Sequence, residues 1–144
     1  MRGTIPVVEG IYTTPRLDKL GVKPGARVAI VGVADEDIRD ELAERTHDLT
    51  VGEPLPGTDI VLLAADSQED LGALPGLRER LVPSGAIWVV SRKGREATLR
   101  DVDVIAAARA SGLVDNKVAS FSATHTALRL VIPIALRPPA QPAE

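Results

Sequence analysis

Apolar residues recur along the chain in short runs that are separated by polar, proline-containing or glycine-containing segments. Runs of this length, rich in Val, Ile, Leu and Ala and flanked by turn residues, predict buried β-strands. Their lack of polar alternation is typical of parallel strands that are covered on both faces. The predicted strands are residues 27–33, 48–51, 59–65 and 86–90.

The segments between these runs carry helix signals. Pro15 after Thr14 predicts a short helix that ends at Gly21, and Asp35 begins an acidic turn that predicts a helix to about Thr46. A later helix is expected over about 99–111, ending at Gly112. One further helix is expected after the third strand run. It should begin near Ser67, which is followed by Asp70 as in a capping box, and break at Pro75-Gly76 before it resumes.

The last third of the chain changes period and predicts two β runs, residues 116–122 and 126–136. A gap of a few residues joins only antiparallel strands, because a parallel return needs a dozen residues or more. We therefore predict an α/β fold: a Rossmann-like three-layer sandwich whose mostly parallel sheet is closed by an antiparallel C-terminal hairpin. The predicted organisation is a leader (1–14), one domain (15–136) and a disordered proline-rich tail (137–144).

Composition narrows the classes of function. Apolar residues make up 44%, but the chain has one Phe, one Tyr and one Trp, so stacking platforms for nucleic-acid bases are not expected. A net charge of −3 argues against a general binder of phosphate backbones. The absence of Cys excludes disulfides and thiolate chemistry. No apolar stretch has transmembrane length, so we expect a cytoplasmic protein with neither nucleic acid nor membrane as a partner.

Three stretches of sequence, taken in order, resemble one bacterial family. They are Lys19–Val28 (KLGVKPGARV), Leu81–Val89 (LVPSGAIWV) and Gly112–Val118 (GLVDNKV) followed by Ala127–Val131. Together they resemble the small proteins grouped as domain of unknown function 3052, over about residues 16–132. The resemblance implies a methyltransferase-like Rossmann fold and no established activity.

The sequence departs from this family's pattern in two places. The run that follows Trp88 reads VSRKG, which keeps Lys93 but lacks the second aromatic residue that family members carry. Before the last strand, His125-Thr126-Ala127 stands where the family tends to have Trp-Ser-Gly. Both departures fall near the carboxyl ends of strands, where ligands of such folds bind.

A nucleotide or S-adenosylmethionine would bind over the turn after the first strand, where glycines let the backbone approach the ligand. That turn has one glycine, Gly32, and is followed by three carboxylates that would repel a phosphate. For S-adenosylmethionine, Asp35 could contact the methionine part and Glu53 the ribose hydroxyls. We expect no cofactor, and S-adenosylmethionine is the alternative.

A basic loop after the Trp88 strand is the second candidate site. Arg92, Lys93 and Arg95 lie where they could hold an anionic ligand or an acidic partner. His125, at the hairpin turn, is a third candidate ligand-binding residue. With His47 it has none of the spacings of a metal site, and we expect neither a metal nor a catalytic triad.

These observations lead to three hypotheses on function. The first is a non-catalytic domain that binds a partner or a small anionic ligand. The second is a degenerate S-adenosylmethionine-dependent methyltransferase. The third is a homodimeric assembly module that uses the apolar leader, Ile5–Ile11, or an edge strand of the hairpin.

Overall fold

One sheet organises the part of the chain that a computed structural model describes, residues 15–137. The leader and the residues from 138 onward, including nearly all of the predicted tail, lie outside it. The strands of the sheet are β1 (Val28–Val31), β2 (Leu49–Val51), β3 (Thr58–Ala64), β4 (Leu81–Arg92), β5 (Val114–Ser120) and β6 (His125–Val131).

The strand order is β2-β1-β3-β4-β6-β5. Strands β2, β1, β3 and β4 are parallel, and β6 runs antiparallel to both β4 and β5. Strand β2 lies on one side of β1, and β3, the next strand in the chain, lies on the other side. The carboxyl end of β1 is therefore the switch point of the sheet. The predicted Rossmann-like sheet closed by a C-terminal hairpin is confirmed.

Helices cover both faces of the sheet. They are α1 (Arg16–Lys19), α2 (Glu36–Arg45), α3 (Gln68–Leu71), α4 (Leu74–Arg78) and α5 (Asp101–Ala110). One core joins α1 and α2 to the sheet face that carries Ile30 and Trp88. The other joins α3, α4 and α5 to the face that carries Val61 and Val89. Successive strand residues thus bury on opposite faces, which explains why the strands read as unbroken apolar runs.

Strand β4 is longer than the apolar run predicted. Its pairing with β3 jumps from Thr58–Leu81 to Ile60–Ala86, so Pro83 and Ser84 lie in an irregular insertion within the strand instead of in a turn before it. Gly85 is buried there, and a Cβ on it would lie 2.9 Å from the carbonyl oxygen of Asp59. The insertion lets the chain enter the sheet with its backbone against β3.

Two further predicted boundaries differ from the structure by more than two residues. Pro75 and Gly76 lie inside α4, since proline is compatible with the first turn of a helix, and the break falls at Gly72 and Ala73. The last strand ends at Val131 instead of Leu136. Pro133 has no N–H to give to a sheet, and a 3₁₀ turn, Ile134–Leu136, follows it.

Two properties bear on the edges and surface of the fold. Strand β5 forms one edge of the sheet, with Val118 59% exposed. Between residues 15 and 137, the helices are all too short or too polar to cross a bilayer.

Candidate functional site

A cavity of about 380 Å³ opens at the carboxyl edge of the sheet, beside the switch point. Such a volume lies within the range of small-molecule sites. The turn after β1 supplies one wall, the ends of β3 and β4 supply the floor, and the turn between β5 and β6 supplies the opposite wall. Its lining residues are Gly32, Val33, Ala34, Asp35, Ala64, Asp66, Val90, Arg92, Phe121, Ser122, Thr124 and His125.

Gly32 begins the turn after β1 with φ +77°, a conformation that side-chain-bearing residues rarely adopt. A Cβ at this position would lie 3.6 Å from the Cβ of Ala64, which is an ordinary contact. The local backbone conformation, not steric crowding by the rest of the protein, therefore favours glycine here.

Asp35 ends the same turn and caps α2. Its carboxylate accepts a hydrogen bond from the Ile38 amide at 3.0 Å, as the sequence predicts for a helix N-cap. The other carboxylate oxygen is 3.0 Å from Nη1 of Arg16. Both oxygens of this predicted ligand-binding residue thus have protein partners.

Arg16, which the sequence analysis did not select, ties the cavity walls together. Its guanidinium contacts Asp35, pairs with Glu41 at 2.8 Å, and donates to the Phe121 carbonyl oxygen at 2.9 Å. It also lies over the Phe121 ring, 4.8 Å from the centroid, in cation–π geometry. One side chain of α1 thereby fixes α2 and the hairpin, two of the elements around the cavity.

Arg16 and Asp35 stabilise each other's charged forms. Burial disfavours the ionised form of Asp35, but hydrogen bonds from Arg16 and Ile38 outweigh it and hold the pKa of Asp35 below its ordinary value. Burial likewise disfavours the Arg16 cation, and its bonds to Glu41 and Asp35 outweigh this and raise the pKa of Arg16. The Asp35 wall is therefore an anion neutralised by the protein itself.

Arg92 ends β4 at the cavity floor. Its amide donates to the Asp66 carboxylate at 3.1 Å, whereas its guanidinium Nε is 3.8 Å from the same carboxylate. The Arg92 side chain is 53% exposed, and its two terminal nitrogens form no hydrogen bond or ion pair within residues 15–137. The backbone is thus fixed while the charged end retains free donors.

The hairpin turn brings His125 opposite Arg92, in register between β4 and β6. The Ser122 hydroxyl accepts from the His125 amide at 3.1 Å, and Thr124 Oγ1 is 2.8 Å from His125 Nδ1. When Thr124 donates to Nδ1, the proton of the ring resides on Nε2, and that nitrogen becomes a hydrogen-bond donor. The ring forms no other hydrogen bond with the described residues.

The other predicted cations of the basic loop lie outside the cavity lining. Lys93 Nζ donates to the Ser120 hydroxyl at 3.0 Å, and the Lys93 amide donates to the Thr124 carbonyl, which fastens the loop to the hairpin. Arg95 is exposed within a 3₁₀ turn, Gly94–Glu96, and forms no ion pair within residues 15–137.

Glu53 does not join the other candidates. Its carboxylate pairs with Arg80 at 3.2 Å, in a separate depression beside α4. No residue of β2 or of the loop after it lines the cavity at the carboxyl edge. The structure therefore brings Gly32, Asp35, Arg92 and His125 together and leaves Glu53 apart.

Asp66 and Phe121 also line the cavity without having been selected from the sequence. Asp66 follows the end of β3, and a carboxylate directly after a parallel strand is a signal that could have indicated it. Arg16 has a weaker signal: a cation in the first turn of a helix opposes the helix dipole and is therefore expected to have partners elsewhere.

The model of one protein family, described as a protein of unknown function (DUF3052), matches residues 17–134. The chain belongs to this family. The resemblance seen in the three sequence stretches is thus confirmed. No curated protein sequence matches the chain.

Solved structures similar to this family member include S-adenosylmethionine-dependent methyltransferases and a pericyclic reaction enzyme. One from Aquifex aeolicus has a TM-score of 0.62 at 15% identity, covering 81% of this chain and 87% of that one. A TehB-like enzyme from Corynebacterium glutamicum has a TM-score of 0.54 at 13% identity, covering 81% and 85%. The O-methyltransferase NcsB1 of neocarzinostatin biosynthesis, solved with S-adenosylmethionine, has a TM-score of 0.55 at 14% identity, covering 73% and 48%. At these identities the likeness shows the methyltransferase-like fold alone.

Residues 15–137 contain no group of three or more His, Asp or Glu side chains that are placed to hold a metal ion. The polar side chains that line the cavity are a guanidinium, an imidazole, two hydroxyls and two carboxylates.

Proposed function

We propose that this domain binds a small anionic ligand in the cavity at the carboxyl edge, without catalysing a reaction on it. The observation that carries the proposal is that the carboxylates of the cavity have protein partners, whereas nitrogens of Arg92 and His125 do not. Asp35 contacts Arg16 and Ile38, and Asp66 accepts from the Arg92 amide. The terminal nitrogens of Arg92 and the Nε2 atom of His125 have no hydrogen-bond partner among the described residues.

A ligand that complements this arrangement carries a carboxylate or phosphate group. Arginine presents a planar fork of donors that matches both groups, and such charge-assisted bonds are about twice as strong as neutral ones. Arg92 and His125 face each other across neighbouring strands, so one anionic group can contact both. The Ser122 and Thr124 hydroxyls border the same wall and can accept or donate to the rest of the ligand.

S-adenosylmethionine fits these residues poorly. The carboxylate expected to accept from its ribose, Glu53, is paired with Arg80. No residue near the end of β2 lines the cavity, which leaves no wall for the adenosine part. The fold and the place of the cavity favour this cofactor as a second candidate, and it is included in the test for that reason.

The test is a thermal-shift and calorimetric titration with inorganic phosphate, malonate, S-adenosylmethionine and S-adenosylhomocysteine at constant ionic strength. A ligand at a hundred times its dissociation constant stabilises the native state by about 2.7 kcal/mol, a readily measured shift. We expect stabilisation by an anion, and affinity at least about tenfold weaker in Arg92→Gln because a charge-assisted bond is lost.

Arg95→Gln is the matched control, since it removes an equal charge from the same loop outside the cavity. Equal affinity in wild type, Arg92→Gln and Arg95→Gln would contradict the proposal. Stabilisation by S-adenosylmethionine with none by the anions would replace it by the methyltransferase hypothesis.

A further inference from the structure

The opposite, amino edge of the sheet holds two adjoining cavities that the proposed function does not use. Their volumes are about 490 and 220 Å³, and both are bounded by Gly21 and Arg129. The larger lies at the entrances of β1, β3 and β4, and the smaller lies between the end of α1 and the hairpin strands. Charged side chains in their linings are Asp18, Lys19, Lys23, Asp59, Lys117 and Arg129.

Arg129 lies between these cavities with little to neutralise it. Its only hydrogen-bond partner among the described residues is the side-chain oxygen of Asn116, at 3.3 Å. The other half-buried arginines differ. Those at 16, 27, 45 and 80 pair with carboxylates, and those at 78 and 137 donate to backbone carbonyls.

The neighbours of Arg129 increase the positive charge. Lys117 lies directly opposite it in the register of β5 and β6, and like charges in this arrangement destabilise a sheet. Burial lowers the pKa of the Arg129 guanidinium below its ordinary value, and the charge of Arg137 lowers it further. Lys117 Nζ reaches only the Lys19 carbonyl oxygen, at 3.3 Å.

The two carboxylates of these linings have other partners. Asp18 pairs with Arg45 at 2.7 Å, and Asp59 accepts from the Arg27 amide at 2.9 Å. Neither lies within ion-pairing distance of Arg129 or Lys117. Four cations without a carboxylate partner among the described residues thus line these adjoining cavities: Lys19, Lys23, Lys117 and Arg129.

We propose that these cavities form a second binding site, which takes the phosphate or carboxylate group of a small metabolite. Arg129 is its main anchor, and Lys23 and Lys117 supply supporting charge. An anion here converts a repulsive cluster into charge-assisted hydrogen bonds. The site is on the opposite edge of the sheet from the Arg92 cavity, so the two proposals stand or fall independently.

Trp88 supplies a specific readout. It is the only tryptophan of the chain, it borders the smaller cavity, and it lies in register with Arg129 across β4 and β6. Its indole N–H donates to the Leu20 carbonyl at 2.9 Å, at the end of α1 beside the same cavity. Binding at Arg129 should therefore change the emission of Trp88, whereas the Arg92 cavity does not include this residue.

The experiment is a titration of Trp88 emission with inorganic phosphate and, separately, with succinate at constant ionic strength. We expect a saturable change with at least one anion, and the anion that gives it identifies the ligand group. The dissociation constant should rise about tenfold or more in Arg129→Gln and rise less in Lys117→Gln. Arg92→Gln and the exposed α5 variant Arg109→Gln should leave it unchanged.

Two results would overturn the proposal: no saturable change in the wild-type protein with either anion, or the same dissociation constant in Arg129→Gln as in wild type. Circular dichroism establishes that each variant is folded. If Arg129→Gln does not fold, the same titration is made with Lys117→Gln and with the double variant Lys23→Gln/Lys117→Gln. Unchanged affinity in both of these variants would overturn the proposal.

Discussion

At the scale of single residues, Arg16 joins α1 to both the α2 region and the hairpin turn, which no pattern in the neighbouring sequence predicts. Its guanidinium bonds to two carboxylates of the α2 region and to a backbone carbonyl of the hairpin turn. Half-buried charges are stabilising only when such partners are complete, because desolvation otherwise dominates. The Asp35 wall of the carboxyl-edge cavity therefore depends on one residue of a four-residue helix.

We predict that Arg16→Met destabilises the protein by about 2–3 kcal/mol, because four charge-assisted hydrogen bonds are lost and Asp35 keeps its burial. Urea unfolding followed by circular dichroism measures this. The matched control is Arg39→Met on α2, since Arg39 is exposed and forms no ion pair within residues 15–137. That change should stay within about 0.5 kcal/mol. A similar cost for both variants would contradict this role for Arg16.

The same contact predicts how stability depends on pH. The pKa of Asp35 is lowered in the folded state, so its contribution is fully present above the unfolded-state value of about 3.9. It is lost as the pH falls through the lower folded-state value. Between pH 7 and pH 3, Arg16→Met should therefore lose less stability than wild type. Parallel curves for the two proteins would show that Arg16 does not set the pKa of Asp35.

At the scale of elements, the entry of β4 shows how local signals are overridden. Pro83, Ser84 and Gly85 have the composition of a turn, yet the backbone remains extended and paired with β3 on either side of them. Gly85 is required by its surroundings, since a Cβ would lie 2.9 Å from Asp59 O and 3.1 Å from Val82 O. These two contacts are to backbone oxygens, which cannot move aside as the end of a flexible side chain can.

We predict that Gly85→Ala destabilises the protein by about 1–3 kcal/mol through overpacking at this entry. Gly76→Ala is the control, because a Cβ there meets no atom within 4 Å and the residue lies in α4. It should stabilise by about 0.5–1 kcal/mol, since alanine is the better helix former. Thermal unfolding measures the change in stability of both variants. A change of the same sign in both would contradict the steric requirement for glycine at position 85.

At the scale of the whole molecule, two separate cores lie on the two faces of one sheet. Leu42 packs with α1 and α2 on one face, and Leu74 packs with α3 to α5 on the other; both side chains are fully buried. The sheet is the element that the two cores share. Its strand residues alternate between them, as Val61 and Leu62 do.

We predict that Leu42→Ala and Leu74→Ala each destabilise the protein by about 3–5 kcal/mol through lost burial and the cavity left behind. Because the two sites lie on opposite faces, their effects should add within about 0.5 kcal/mol where both single variants remain folded. Urea unfolding measures this, using Leu42→Val and Leu74→Val if the alanine double variant does not fold. Non-additive values would show that the faces are coupled through the sheet.

The sequence by itself determined the order of elements and the layered fold, because hydrophobic period and turn residues act over a few neighbours in the chain. The resemblance of three short stretches indicated the family. The sequence also placed the caps at Asp35 and Ser67, which are local hydrogen bonds. It did not determine where β4 begins, since its extended entry depends on pairing with β3, a strand more than twenty residues earlier.

Only the tertiary structure decided which candidate residues share a site. Arg92 and His125 are adjacent because β4 and β6 pair antiparallel, and Glu53 is apart because β2 lies on the other side of β1 from β3 and β4. The pairing of β5 with β6 set Arg129 opposite Lys117 at the other edge of the sheet, and no local sequence pattern indicates this conflict of charge. Contacts between residues far apart in the chain depend on register and packing, and those are properties of the whole fold.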